Sequence, residues 1–249
     1  MTWNRISPAG FFYKTTWKSM LCSDTLPRTP TAYRSCLRHK TLWLPGDSTS
    51  IQFWKFLQQY LNISYTGTSE KHGPRIITDK KFNFSIIWHA HQLPFYHGRH
   101  AHNRTVNLAE NAILDSLPNA TQDIIVLYLY VHFTLVHPDV FRRHVQKLVQ
   151  SAKNLLERAP YVTLAVRGPH AFYKSMFVKR GVASYWGLFY TDILHEHFSV
   201  LRNRIVYVDF WDMTVAMESY NIHPNAHVVE YMVHNMMTFL CYRNIETQV

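Results

Sequence analysis

The 249-residue sequence has no apolar run that approaches the roughly 20 residues needed to cross a membrane as a helix. Its first residues also lack the apolar segment of a signal peptide, which taken alone predicts a cytosolic or truncated protein. No dense lysine and arginine block and no nucleic-acid-binding motif is present, so nucleic acid is not an expected partner despite the net charge of +10. This charge instead favours acidic partners, and we rank anionic glycans first.

Cysteine is also scarce, with three in the whole chain. Cys22 and Cys36 are spaced for a local disulfide that would leave Cys241 over; the alternative is three free buried thiols in a cytosolic protein. Four glycosylation sequons favour the secretory pathway instead, either the Golgi lumen or the extracellular space. The sequons begin at Asn62, Asn83, Asn103 and Asn119.

From residue 41 onward the pattern alternates between strands and helices. Apolar and aromatic runs predict strands at 41–46, 82–89, 123–131, 161–166 and 204–210. Helical spacing predicts helices at 49–61, 138–158, 184–202 and 225–240. Strands separated by helices imply one doubly wound α/β sheet. We therefore expect an α/β domain over 41–249, an irregular segment over 1–40 that packs on it, and a rim insertion over 92–122.

The first predicted strand runs directly into a serine, in the segment Gly46-Asp47-Ser48. The carboxyl ends of strands are where open α/β sheets bind ligands, and the N–H groups of a helix N-terminus can stabilise an oxyanion. The pattern predicts Ser48 as a nucleophile, which requires an adjacent base. Gly46 and Asp47 are candidate oxyanion or substrate contacts. The alternative is that Asp47 and Ser48 only cap the helix.

His223 is the candidate base, because it lies on a loop after the last predicted strand and Pro224 favours an extended backbone there. His227 is its nearby competitor, more consistent with a structural role in the last helix. Asp209 and Asp212 end the preceding strand, and either could orient His223. We take Asp212 as the candidate acid; the alternative is that both serve only as a turn cap and a solvated charge.

His132 follows the central predicted strand, at the end that should face the same crevice as Ser48. It could donate a hydrogen bond to an oxyanion, contact the substrate or be structural, and His91 is a further candidate of this kind. Two His-X-His pairs between 89 and 102 suit zinc or copper, but finger-like cysteines and a His-Glu-X-X-His motif are missing. We expect a histidine-rich exposed loop there and no metal site.

A set of motifs extends in order over most of the chain and is more specific than any one of its members. The motifs are Pro8-Ala-Gly-Phe-Phe12, Cys22, Cys36-Leu-Arg38, Leu44-Pro-Gly-Asp-Ser-Thr49, Trp54, Trp88, His91, Val131-His-Phe133, Phe141-Arg-Arg143, Asp209-Phe-Trp-Asp-Met-Thr214, Ile222-His-Pro224 and His227-Val-Val229. Together they resemble the C-terminal domain of the neurexophilin and PC-esterase domain-containing (NXPE) family, within the SGNH/GDSL superfamily.

The resemblance implies a three-layer α/β/α sandwich with a flavodoxin-like, mainly parallel sheet of five strands. It makes Ser48 the nucleophile and His223 the base. Relatives of this kind include polysaccharide and sialic-acid O-acetyltransferases and O-acetyl esterases of the secretory pathway. Many family members also carry an amino-terminal neurexophilin-like β-domain and a signal or anchor segment, so the resemblance makes this chain a fragment or a short isoform.

Two positions depart from the superfamily pattern. Tyr220 stands where an aspartate usually precedes the histidine by three residues, so Asp212 must substitute or a Ser–His dyad must suffice. The Gly-X-Asn-Asp oxyanion block is not recognisable, and the loss of one oxyanion donor alone costs roughly 10²–10³ in rate.

We expect a serine-dependent O-acyl, in particular O-acetyl, transferase or esterase that acts on glycans of glycoconjugates. It would hold no tightly bound cofactor and would use an acyl donor such as acetyl-CoA if it is a transferase. The alternative is a catalytically inactive secreted glycoprotein that uses the same fold for binding.

Overall fold

A computed structural model of the chain describes residues 2–21, 25–65, 74–91, 108–173, 184 and 186–246, with side chains described as far as Cys241. These residues form a mixed α/β fold built on a six-stranded sheet, with a separate two-stranded hairpin near the amino terminus. Within the described part of the chain, no helix is both long and apolar enough to cross a membrane.

The hairpin consists of two antiparallel strands, β1 (Gly10–Tyr13) and β2 (Thr16–Ser19). The strands of the main sheet are β3 (Thr41–Gly46), β4 (Arg75–Asp79), β5 (Phe84–Ala90), β6 (Ile124–Tyr128), β7 (Thr163–Arg167) and β8 (Ile205–Val208). Their order across the sheet is β4-β5-β3-β6-β7-β8. All pairs are parallel except β4 with β5, so the carboxyl ends of five strands meet at one edge.

The sheet therefore has one strand more than the five that were predicted. The additional strand, β4, is an edge strand whose alternating burial leaves Ile76 51% exposed. Its five residues, Arg-Ile-Ile-Thr-Asp, do not form the continuous apolar run typical of the buried strands. Edge strands of this kind give a weaker sequence signal because one face stays in water.

The helices are α1 (Pro30–Leu37), α2 (Ser48–Tyr60), α3 (Glu110–Ser116), α4 (Pro138–Arg158), α5 (Trp186–Phe198), α6 (Trp211–Ala216) and α7 (Ala226–Glu246). α1, α2 and α7 pack on one face of the sheet, where Leu42 and Val126 join their apolar side chains. α3, α4 and α5 pack on the other face, against side chains such as Leu127 and Val166. Both faces of the parallel sheet are thus covered, as parallel sheets require.

The central strand β6 is shorter than the predicted run of 123–131. Its pairing with β7 ends where Tyr128 lies opposite Arg167, and the chain then turns into a 3₁₀ helix over Val131–Leu135. His132 therefore lies in this 3₁₀ helix and not on a strand, although it remains at the carboxyl edge of the sheet.

Residues 1–40, which were expected to be irregular, include the hairpin and α1. Trp17 and Leu37 are buried in the core on the α1 side of the sheet. Trp3 is buried on the opposite side and donates a hydrogen bond from its ring N–H to the Ile205 carbonyl at 2.8 Å. The segment thus packs against both layers of helices.

The predicted disulfide between Cys22 and Cys36 is wrong, because Cys36 is bonded to Cys241 with a Cα–Cα distance of 5.6 Å. The bond joins α1 to α7, two helices that are neighbours on one face of the sheet but 205 residues apart in sequence. Local spacing could not reveal this pairing, since it depends on the tertiary fold. Cys22 lies outside the described residues.

Three of the four sequon asparagines are described, and all three are exposed. Asn62 follows α2 and Asn83 lies in the β4–β5 turn, each with a positive φ, whereas Asn119 lies in the turn before β6. These positions are sterically open to a glycan. Asn103 lies outside the described residues.

Candidate functional site

The turn between β3 and α2 holds Ser48 at the first residue of the helix. Asp47 is the helix N-cap, and its buried carboxylate accepts hydrogen bonds from both the N–H and the hydroxyl of Thr49, each at 2.7 Å. The predicted capping role of Asp47 is therefore present, and it places Ser48 at the amino-terminal, electropositive end of the helix.

Gly46 is required for this turn because its φ of +146° is a conformation that side-chain-bearing residues rarely adopt. A Cβ atom at this position would also lie 2.5 Å from the Ser50 hydroxyl and 3.2 Å from Tyr128. The strand therefore ends in a turn that only glycine fits, directly before Asp47 and Ser48.

The structure brings Ser48 and His223 together although they are 175 residues apart, with 2.6 Å between the Ser48 Oγ and the His223 Nε2. This distance is that of a short hydrogen bond and lies within the reach needed for proton transfer. Ser48 is half-buried and His223 is exposed, so the pair is accessible from solvent. The geometry is that of a serine activated by an adjacent base.

The loop that carries His223 is held on both sides of the histidine. The buried His170 hydrogen-bonds the Ile222 carbonyl through Nε2 at 3.0 Å, and Gln52 of α2 donates to the Pro224 carbonyl at 2.8 Å. Burial, followed by the charge of Arg167, lowers the His170 pKa to about 3, so this ring is neutral at physiological pH. Its single proton must then lie on Nε2, because a carbonyl only accepts.

Within the described part of the chain, no carboxylate is hydrogen-bonded to His223. The predicted acid, Asp212, instead accepts a hydrogen bond from the Ala9 N–H at 2.7 Å. Asp209 accepts from the Trp211 N–H at 2.8 Å, and burial followed by the Asp212 charge raises its pKa to about 6. The described arrangement is thus a Ser–His dyad, and Asp212 lies with the amino-terminal segment.

A chain of four polar side chains reaches the same edge of the sheet. The His91 Nε2 is 3.1 Å from the His132 Nδ1, and the His91 Nδ1 is 2.9 Å from one oxygen of Glu110. The other oxygen of Glu110 is 3.0 Å from the His144 Nε2. The structure therefore brings together His91 and His132, two of the predicted candidates, and adds Glu110 and His144, which the sequence did not indicate.

Both buried carboxylates near the site are ionised. Burial is the largest influence on Glu110 and raises its pKa, but the hydrogen bonds and charges of His144 and His91 outweigh it and the net pKa is lowered. Burial likewise raises the pKa of Asp47, but the charges of His132 and His91 and the hydrogen bonds from Thr49 lower it overall. The two histidines are thus near enough to the Ser48 turn to act on it electrostatically.

Arg167 is a buried cation that sequence reasoning missed. Its guanidinium carbon lies 3.9 Å from the ring centres of both Phe53 and Tyr128, so the group is stacked between two aromatic faces. No nitrogen of this guanidinium has a hydrogen-bond partner among the described residues, and burial lowers its pKa. Arg167 is the last residue of β7, and a charged side chain is unusual in a strand that is buried along its whole length.

The described residues contain no group of three or more histidine, cysteine, aspartate or glutamate side chains that could hold a metal ion. The His89 Nδ1 lies 3.0 Å from the Ala90 carbonyl oxygen, and the His91 Nδ1 is hydrogen-bonded to Glu110. The other histidines of the predicted cluster, His97, His100 and His102, lie outside the described residues.

The fold and the site define an α/β protein with a serine and a histidine paired at the carboxyl edge of its sheet. The sequence over residues 17–241 matches the family described as NXPE family member 4-like, C-terminal domain. The match covers most of the chain, so the protein belongs to this family, and the predicted resemblance is confirmed.

Likenesses to solved structures are weaker. One crystal structure is 13% identical over 81% of this chain and 96% of its own, with a TM-score of 0.46. Another, of a Plasmodium falciparum protein assigned as nucleolar GTP-binding protein 1, is 13% identical over 85% of this chain and 91% of its own, with a TM-score of 0.37. Neither is similar enough to carry an argument about fold or function.

Proposed function

We propose that the protein is a serine-dependent O-acyl, in particular O-acetyl, transferase or esterase that acts on glycans. The observation that carries this proposal is the 2.6 Å contact between the Ser48 Oγ and the His223 Nε2 at the start of α2. Membership of the NXPE C-terminal domain family supports a PC-esterase-like domain. The basic net charge of +10 supports an anionic glycan as the acceptor.

The strand order supports an SGNH-type fold for this domain. Counted along the chain, the five parallel strands have the order 2-1-3-4-5, which is that of flavodoxin-like sheets with helices on both faces. Ser48 follows the first of them, beside the point where the strand order reverses. This is where doubly wound sheets bind their ligands.

In the proposed reaction, the Ser48 Oγ attacks the acyl carbonyl carbon while the His223 Nε2 takes the hydroxyl proton. The tetrahedral oxyanion collapses, the bond to the leaving group breaks, and His223 returns the proton to that group. A sugar hydroxyl or water then attacks the Ser48 ester by the same steps in reverse. The N–H groups of Thr49, Ser50 and Ile51 donate to Asp47, so we propose the Ser48 N–H as the helix donor to the oxyanion.

A transferase of this kind needs no resident cofactor, since an acyl donor such as acetyl-CoA would enter as a substrate. We also propose that the protein works in the secretory pathway, in the Golgi lumen or outside the cell. The Cys36–Cys241 disulfide supports this location, because such bonds persist mainly in oxidising compartments. The exposure of Asn62, Asn83 and Asn119 is consistent with it.

The second candidate function is binding by a catalytically inactive secreted glycoprotein. The observation that favours it is the missing acid, since no carboxylate among the described residues contacts His223 and Tyr220 occupies the usual aspartate position. In a serine triad the carboxylate orients the base and stabilises its charged form. A dyad without it would lose part of this stabilisation.

The test is covalent labelling of the secreted, glycosylated protein with a fluorophosphonate probe, followed by peptide mass spectrometry. We expect labelling at Ser48 that disappears in Ser48→Ala and His223→Ala. His227→Ala is the matched control, because this exposed histidine lies four residues away in α7 and should leave labelling intact. A folded wild-type protein that does not label would favour the binding function.

A further inference from the structure

Tyr128, the last residue of β6, and His170, in the loop after β7, form a hydrogen-bonded pair that is fully buried. The Tyr128 hydroxyl oxygen lies 3.0 Å from the His170 Nδ1. Polar groups in a core cost free energy unless they are hydrogen-bonded, so a pair of this kind must be matched carefully. The steps proposed for Ser48 and His223 do not use it, which makes it a candidate for a supporting role.

The charge states of the two side chains fix the direction of their hydrogen bonds. The neutral His170 carries its one proton on Nε2, through which it donates to the Ile222 carbonyl oxygen at 3.0 Å. Its Nδ1 therefore has only a lone pair and accepts the proton of the Tyr128 hydroxyl. Burial raises the pKa of Tyr128 well above its ordinary value, against the charge of Arg167, so the hydroxyl keeps this proton.

Close packing holds the Tyr128 ring in place. The Arg167 guanidinium carbon lies 3.9 Å from its centre, and the nearly parallel His170 ring has its centre 6.5 Å away. The Cβ atom and the carbonyl oxygen of Tyr128 each lie 3.2 Å from the position that a Cβ atom on Gly46 would take. Tyr128 therefore packs directly against the turn that leads into Ser48.

His170 acts on the segment that carries the base. The Ile222 carbonyl that it binds belongs to the peptide bond between Ile222 and His223, so the bond fixes the backbone from which the His223 side chain starts. Tyr128 packs on the Gly46 turn and donates to His170, and His170 donates to this peptide. The pair therefore links the two segments that carry Ser48 and His223, which are 175 residues apart in sequence.

We propose that Tyr128 and His170 are positioning residues that keep the His223 ring within hydrogen-bonding distance of Ser48, as the carboxylate does in a serine triad. This inference rests on the proposed function. Both side chains are fully buried and act through the backbone of the loop, and neither gains or loses a proton in the reaction. They supply orientation, and they do not neutralise the charge that His223 acquires during acylation.

The test measures acylation of Ser48 by p-nitrophenyl acetate, as the burst of nitrophenol at increasing ester concentrations. His170→Leu removes the donor to the Ile222 carbonyl, and we expect the saturating burst rate constant to fall roughly tenfold to hundredfold, since a slightly misplaced base loses that much. Tyr128→Phe removes one neutral hydrogen bond and should lower it roughly twofold to tenfold. The ester concentration at half-maximal burst rate should stay unchanged, because the pair does not bind the ester.

Two further variants separate orientation from a general loss of structure. Tyr33→Phe is the matched control, because it removes another buried tyrosine hydroxyl that is bonded to a histidine Nδ1, that of His234 at 2.6 Å, and it should acylate at the wild-type rate. His170→Gln keeps an N–H group that can reach the Ile222 carbonyl, so it should recover most of the rate that His170→Leu loses.

Three results would overturn the proposal. They are equal slowing in Tyr33→Phe, a His170→Gln variant as slow as His170→Leu, and a wild-type burst in either His170→Leu or Tyr128→Phe. If His170→Leu does not fold, Tyr128→Phe and its control Tyr33→Phe carry the test.

Hydrogen–deuterium exchange measures the same effect without activity. The backbone amides of residues 220–223 should exchange faster in His170→Leu and Tyr128→Phe than in the wild type, and Tyr33→Phe should leave them unchanged. Wild-type exchange in the first two variants would contradict the proposal. Failure of the proposed function has a different signature, which is a wild-type protein with no burst and no fluorophosphonate label at Ser48, whatever the exchange of the loop.

Discussion

Replacement of either disulfide cysteine should destabilise the protein strongly. The bond between Cys36 and Cys241 spans 205 residues of sequence, so it closes most of the chain into one loop. In the chain-entropy treatment, a loop of this length restricts the unfolded state by about 5 kcal/mol. Measured losses for natural disulfides are at or below that figure, so we expect Cys241→Ser to lower the free energy of unfolding by about 3–5 kcal/mol.

The protein should nevertheless still fold without the bond. α1 and α7 remain joined by the hydrogen bond between the Tyr33 hydroxyl and the His234 Nδ1 at 2.6 Å, and Leu37 stays fully buried. The free energy of unfolding of an ordinary domain is about 5–15 kcal/mol, so a loss of this size leaves a reduced but measurable stability. The effect should therefore appear in equilibrium unfolding and not only in expression level.

Urea denaturation followed by tryptophan fluorescence measures this difference. Cys36→Ser and Cys241→Ser should have equally lowered midpoints, and the double variant should be no worse than either single one. Cys22→Ser is the control and should match the wild type. If Cys22→Ser and Cys36→Ser were both destabilised while Cys241→Ser was not, the pairing of Cys36 with Cys241 would be refuted.

Three further predictions concern the site and its surroundings. Thr49→Val removes the hydroxyl bond to Asp47 and should cost about 1.5–3 kcal/mol in urea denaturation, because the acceptor is buried and charged. Gly46→Ala should cost about 1–3 kcal/mol and reduce probe labelling of Ser48, since it strains the turn. Asp209 has a folded-state pKa of about 6 against an ordinary 3.8, so the free energy of unfolding should fall as pH rises from about 4 through 6. Asp209→Asn should flatten that dependence in pH-resolved denaturation; an unchanged slope would contradict the assignment.

The features that the sequence predicted well are those encoded over a short stretch of chain. The strand and turn at Gly46-Asp47-Ser48 and the helix over 138–158 follow from local periodicity, capping and turn chemistry, and both are observed. The buried parallel strands were found because continuous apolar runs are typical of strands covered on both faces.

The features that the sequence did not predict depend on contacts between distant segments. Cys36 pairs with Cys241 because α1 and α7 share a face of the sheet. Glu110 lies in a stretch that looked like an insertion, and nothing local distinguishes it from a solvated charge at a helix start. In the sequence, Arg167 is only the polar end of a predicted strand. The structure shows that its guanidinium lies between the rings of Phe53 and Tyr128. Such roles require tertiary structure.

The hydrogen bonds that fix the His223 loop suggest how a dyad could work without a carboxylate. In a triad the acid both orients the base and stabilises its charged form. Here the backbone carbonyls of Ile222 and Pro224 are fixed by His170 and Gln52, so orientation is supplied by the loop itself. Among the described residues, however, no carboxylate is hydrogen-bonded to His223 to stabilise its charged form.

The lack of a carboxylate at His223 among the described residues bears on which acyl donor the protein would use. His223 becomes charged when it takes the Ser48 proton, whatever the donor, and it must return that proton only to a leaving group that needs one. A thioester leaves as a thiolate with a pKa near that of a free cysteine, about 8.5, whereas a sugar oxygen leaves as a far stronger base. We therefore expect an acetyl thioester to acylate Ser48 faster than a sugar ester does. A wild-type protein that hydrolyses O-acetylated glycans faster than acetyl thioesters would contradict this reasoning.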